Sequence, residues 1–154
     1  MLIAALLVNA DNISYHDEAT SKKRVLENLS RLLAANSEAL SAEKIFQVLL
    51  ERERLGSTGL GKGVAIPHAR VPDLTHTVAA MLTLSEPVDF EAADGQPIDI
   101  AFGLLVPEDD TENHHLQHLS RLVTLFRDAE CCSKIRQAGN AEAVFEYLLT
   151  IDED

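Results

Sequence analysis

The chain has 154 residues, 46% of them hydrophobic, and its 13 Lys and Arg against 25 Asp and Glu give a net charge of −12. A chain of this length buries about two thirds of its unfolded surface in one domain, here expected to span residues 1–154, and its negative charge excludes a nucleic-acid or anionic-membrane surface and favours a basic or neutral protein partner. The two cysteines, Cys131 and Cys132, are adjacent, a spacing that disulfide geometry disfavours and that points to a reducing, cytoplasmic compartment, and no apolar run approaches the roughly 20 residues a membrane span needs.

Met1 to Val8, MLIAALLV, lacks a basic flank and a cleavage site. It is therefore expected to pack on the core as a first helical or extended segment rather than to serve as a signal peptide. Ile13 to Tyr15 reads as a short strand. Thr20 or Ser21 can cap a helix whose apolar positions Val25, Leu26, Leu29, Leu32 and Leu33 share one face, ending near Asn36. Ser41 can cap a second helix carrying Ile45, Phe46, Val48, Leu49 and Leu50 to about Arg52.

The stretch from Leu55 to Arg70, LGSTGLGKGVAIPHAR, follows directly. Gly56, Gly59, Gly61 and Gly63 let the backbone come close to a partner, and Val64, Ala65 and Ile66 have the branching of a buried strand. Pro67 lacks a donor and biases Ile66 toward extended geometry, so the strand is expected to stop there and present His68 at its end, outside the ladder. A neutral imidazole is a competent nucleophile near pH 7, and glycine-freed amides form the kind of nest that holds phosphate. The spacing matches neither a dinucleotide fingerprint nor a Walker loop. The combination points to a histidine that receives a phosphoryl group.

Downstream, Val78 to Leu84 and Ile98 to Val106 are near-continuous apolar runs suited to strands covered on both faces. Pro87, Asp94-Gly95 and Pro97 mark loops between them, with Val88 to Phe90 as a small strand or hairpin arm, and Pro107 stops the second run. Leu116, Leu119, Leu122, Val123 and Phe126 define a third amphipathic helix with Asn113 as candidate cap. Two shorter helices are expected over Glu130–Ala138 and Ala141–Thr150, the latter capped by Asn140. The fold class is α/β, a single-domain sandwich with a mixed central β-sheet covered by helices on both faces. His114, His115 and His118 crowd the start of the third helix and invite a metal reading, but no HExxH or paired CxxC spacing accompanies them, so neither metal nor cofactor is expected.

The segment Arg52 to Arg70, RERLGSTGLGKGVAIPHAR, closely resembles the active-site signature of the enzyme IIA domains of the fructose/mannitol type in the bacterial phosphoenolpyruvate-dependent phosphotransferase system. Within that class it is similar to the nitrogen-regulatory branch, where the GSTG wording is usual, and the resemblance extends more loosely over nearly the whole chain. It implies that His68 accepts and donates the phosphoryl group. It implies also that His115, or in the adjacent register His114, neutralises the phosphoryl oxygens. Arg52 occupies the place of an arginine near the active site, where a guanidinium stabilises the dianion; Ser57 or Thr58 would add a hydroxyl, with amides from Gly59 onward nearby. The implied role is a phosphotransfer component rather than a stand-alone metabolic enzyme. It is charged by an HPr-type carrier and acts on regulatory target proteins, or alternatively passes phosphate to a separate enzyme IIB in sugar uptake. A His-cluster metal hydrolase and a pure interaction module are the readings from other classes.

Overall fold

The computed structural model describes residues 3–37, 40–109 and 114–152, with the backbone alone at 114, 115 and 152. The elements run α1 (Ile3–Leu7), a 3-10 turn (Ala10–Asn12), β1 (Ile13–Asp17), α2 (Lys22–Ala35), α3 (Ala42–Leu55), β2 (Gly59–Gly61), β3 (Val64–Ala65) and β4 (His68–Val71). They continue with β5 (Val78–Val88), β6 (Ile98–Pro107), α4 (His114–Phe126), α5 (Ala129–Arg136) and α6 (Ala141–Asp152). The caps follow from side-chain chemistry. The Ser21 and Ser41 hydroxyls accept from the Arg24 and Lys44 amides, and Asn140 accepts from that of Ala143. Helix α5 is capped by Asp128, whose carboxylate takes both the Glu130 and Cys131 amides, and so starts at Ala129, one residue before the predicted start. The predicted cap of α4, Asn113, lies outside the described residues.

The strands form one mixed sheet in the order β1-β5-β6-β3-β2, with β4 also on β6. Strand β6 runs antiparallel to β5 and parallel to β3 and β4, so β3 and β4 are two halves of one interrupted strand lying along β6. Residue alternation sends Ala80, Leu82, Ala101 and Leu105 into a core with Leu29, Leu33, Ile45 and Leu49 of α2 and α3. Ala79, Met81, Phe102 and Leu104 go into a second core with α1, α4, α5 and α6. Both faces of the sheet are thus covered by helices, as the uninterrupted apolar runs of β5 and β6 require. Gly103, within β6, leaves room for Leu29 and Leu33, whose methyl groups would stand 3.3 and 3.4 Å from an added Cβ.

Three sequence-based boundaries change. The glycine loop contains a strand of its own: β2 and β3 form a hairpin whose two-residue turn, Lys62-Gly63, has φ +57 and +85, the positive values such a turn demands. Strand β5 extends through Pro87 to Val88, because its ladder on β6 lapses between Thr83 and Val88 and a missing N–H is harmless there. And the strand interrupted at Pro67 does not end: His68 pairs with Leu104 in β4.

Candidate functional site

Pro67 creates the site by what it lacks. With no N–H at residue 67, β3 stops at Ala65, yet the Pro67 carbonyl still accepts from the Leu104 amide at 2.9 Å, so the chain stays seated on β6 and pairing resumes at His68. Alternation survives the break: Ala65 and Ala69 join the core beneath α3, while Val64 and Ile66 join the opposite core. The break leaves the Ile66 carbonyl outside the ladder, where it meets Nδ1 of His68 at 2.7 Å. A carbonyl oxygen only accepts, so Nδ1 carries the proton and the ring's basic lone pair is placed on Nε2.

His68 is half-buried, and that desolvation lowers its pKa below the ordinary 6.5. The Ile66 bond opposes the shift, the Arg52 charge adds to it and the Glu53 charge opposes it. The imidazole is therefore neutral at pH 7 and has the lone pair a nucleophile needs.

The last turn of α3 supplies both of those charges. Arg52 is half-buried and donates from Nη1 to the Gly56 carbonyl at 2.8 Å, closing the helix onto the glycine loop. Glu53 has a side chain only 2% exposed. Its carboxylate accepts from the Thr58 amide, 3.2 Å from each oxygen, and from the Thr58 hydroxyl, and pairs with Lys22 Nζ at 2.9 Å. Sequence reasoning missed Glu53 and Lys22. A signal was present: Glu53 stands four residues after Leu49 and eight after Ile45, on the helix stripe that those two bury.

The loop hydroxyls point inward. Ser57 Oγ donates to the Phe90 carbonyl at 2.8 Å and accepts from the Gly59 amide at 3.1 Å, and the Thr58 hydroxyl donates a hydrogen bond to the Glu53 carboxylate. In this conformation the two side chains hold the loop rather than offer donors to a phosphoryl group. Gly59 presses on the segment after Phe90 so closely that a Cβ would stand 2.7 Å from that of Ala92. On the far side of the hairpin Arg136 clamps Asp99, with Nε at 2.8 Å from Oδ2, and donates from Nη2 to the Lys62 carbonyl. Asp94 accepts from the Lys62 amide at 2.9 Å, and that bond, with a second from the Gln96 amide, holds its carboxyl below the usual range.

Helix α4 brings Leu122 and Phe126 into the core that Val64 and Ile66 share. The backbone places His114 and His115 in its first turn, while their side chains lie outside the described residues. His118 is half-buried in the next turn.

A family model described as phosphoenolpyruvate-dependent sugar phosphotransferase system, EIIA 2, matches residues 6–150. The chain belongs to this family. It is 43% identical over 131 residues to the nitrogen regulatory protein of Pseudomonas aeruginosa, covering 85% of this chain and 84% of the relative. Its fold superposes on the crystal structure of nitrogen regulatory protein IIA-Ntr from Neisseria meningitidis with a TM-score of 0.85 at 40% identity, over 90% of this chain and 94% of that one. It shares the fold, at TM-score 0.75 and 19% identity over 92% and 96% of the two chains, with mannitol enzyme IIA of Escherichia coli, solved in complex with phosphorylated enzyme IIB. The chain is thus a phosphocarrier of the phosphotransferase system with nitrogen-regulatory relatives.

Proposed function

We propose that His68 accepts a phosphoryl group on Nε2 from a histidine-phosphorylated HPr-type carrier, and that the phosphorylation state then controls regulatory target proteins. The observation that carries this reading is the Nδ1 bond to the Ile66 carbonyl beside the proline break. It assigns the lone pair to one nitrogen and holds the ring on a rigid strand. In the transfer, the Nε2 lone pair forms the new N–P bond as the donor's N–P bond breaks and its electron pair returns to the donor imidazole. The Nδ1 proton stays on His68, so the phosphorylated ring is cationic, its N–H held by the Ile66 carbonyl, and leaves as neutral imidazole on onward transfer. Arg52 is proposed to turn from Gly56 toward the phosphoryl oxygens, with His115 as a second cationic or donor group; Ser57, Thr58 and Gly59 shape the wall around them.

Asp73, Glu108 and Asp109 line a groove at the end of β4 and β6 that suits a basic carrier, in keeping with the net charge. Among the described residues no helix is long and apolar enough to cross a membrane, and we place the protein in the cytoplasm as a single domain over 1–154. Transfer to a separate enzyme IIB is the second reading, favoured by the shared fold with the mannitol IIA solved on phosphorylated IIB.

Intact mass after incubation with phosphoenolpyruvate, enzyme I and an HPr-type carrier tests the acceptor. The wild type is expected to gain one acid-labile phosphoryl group and His68→Ala none. A gain in His68→Ala, or no gain in either, overturns the assignment.

A further inference from the structure

We infer that Glu53, neutralised by Lys22, is a positioning residue for His68: it anchors the backbone that fixes the imidazole tautomer, and so selects Nε2 as the attacking atom. The inference rests on His68 being the phosphoryl acceptor.

The position of Glu53 runs against local preference twice. A carboxylate in the last turn of α3 meets the negative end of the helix dipole, and a side chain 2% exposed loses its hydration. Such a group persists when its partners replace the lost water. Here Lys22 reaches across from the first turn of α2, its Nζ 2.9 Å from Oε2 of Glu53 and 4.8 Å from the centre of the Phe90 ring. Thr58 fills the remaining acceptor capacity with both its amide and its hydroxyl.

From Thr58 the connection to the histidine is continuous. The Thr58 carbonyl accepts from the Ile66 amide at 3.0 Å, and the Ile66 carbonyl accepts from His68 Nδ1 at 2.7 Å. Thr58 and Ile66 are both buried and the bond to half-buried His68 is partly screened from solvent, where a hydrogen bond is strong and its loss expensive. One residue, Ile66, is thus held by Thr58 through its amide and holds His68 through its carbonyl. Moving Thr58 rotates the acceptor that dictates which nitrogen keeps the proton.

The charges around His68 fit this role. Arg52 and Glu53 of α3 act on it with opposite sign; Lys22 of α2 balances Glu53, Glu91 stands 3.9 Å from Lys22, and Arg70 lies exposed two residues on in β4. At the first turn of α4 the side chains of His114 and His115 lie outside the described residues.

The test is nitrogen-15 NMR of the histidine ring in the unphosphorylated full chain, beside single-turnover transfer from a phosphorylated HPr-type carrier. The wild type should show the Nδ1–H tautomer. Glu53→Gln keeps the shape but loses two acceptor positions and the charge. We expect a mixed tautomer, a lower His68 pKa, and transfer slowed about tenfold, the scale of one lost hydrogen bond. A folded Glu53→Gln protein with the wild-type tautomer and rate overturns the inference. Thr58→Val, which cuts the hydroxyl link and leaves both charges in place, is the second variant should Glu53→Gln fail to fold. It should shift the tautomer the same way, and an unchanged spectrum is equally decisive against the relay. Because the tautomer is read without phosphate, it separates this inference from the acceptor assignment, which fails if His68→Ala still takes up the phosphoryl group or if neither protein does.

Discussion

On one side of β6 lies β5, with seven successive buried residues from Val78 to Leu84. On the other lies the interrupted strand β3–β4, equally apolar up to Ile66 and then broken by Pro67. Strand β5 has its backbone bonded to β1 and β6, so its polar groups are consumed by the ladder and its side chains by two cores. At Ile66 the carbonyl falls out of the ladder and is taken by a side chain instead. The proposed chemistry sits where the ladder has a carbonyl to spare, and the rigidity of β6 holds that gap open.

The largest effect should come from the closed side. Phe102 is fully buried and packs against Phe126 with ring centres 5.9 Å apart, so Phe102→Ala should cost about 3–5 kcal/mol in urea unfolding. The protein that remains folded should still accept a phosphoryl group. Unfolding within about 1 kcal/mol of wild type would mean the sheet centre tolerates a cavity that its packing leaves no room to collapse.

At the open edge a smaller change should matter more for function. Gly63 has φ +85, and a Cβ there would stand 2.6 Å from Nη2 of Arg136. Gly63→Ala should lose about 1–2 kcal/mol from the left-handed backbone and displace the Arg136 clamp on Lys62. Phosphoryl transfer should therefore fall at temperatures where the fold is intact; a wild-type rate would show that the hairpin turn and the histidine are uncoupled.

The smallest effect is that of pH on stability. The folded pKa of His68 lies below 6.5 because burial disfavours the charged ring. As pH falls through 6.5 the unfolded chain takes up a proton that the folded one refuses, and stability drops until the folded pKa is reached; above 6.5 the contribution is fully present. The difference in unfolding free energy between wild type and His68→Ala should therefore move against the wild type as pH falls through about 6.5. A constant difference would indicate an unperturbed imidazole.

Much of this arrangement is legible from residues. The serine caps of α2 and α3 and the 3.6-residue spacing of Val25, Leu29 and Leu33 specify those helices, and the unbroken runs of β5 and β6 specify a sheet covered twice. Strand β2 is hidden because Gly59-Leu60-Gly61 has too little side chain to show a period. Strand β4 is hidden because proline's effect on its own residue is local, whereas the parallel neighbour that recaptures His68 is remote in sequence. Glu53 escapes because a charged residue flanked by Arg52 and Arg54 reads as helix surface. Only the partners brought from Lys22 and Thr58 make its burial tenable.

Nε2 of His68 is the proposed attacking atom, and nitrogen-15 and phosphorus-31 NMR of the phosphorylated protein, with labelled histidine, addresses it directly. The predicted result is a one-bond nitrogen–phosphorus coupling at Nε2 of His68, with Nδ1 still protonated. Coupling at Nδ1, or at a histidine of α4, would contradict it.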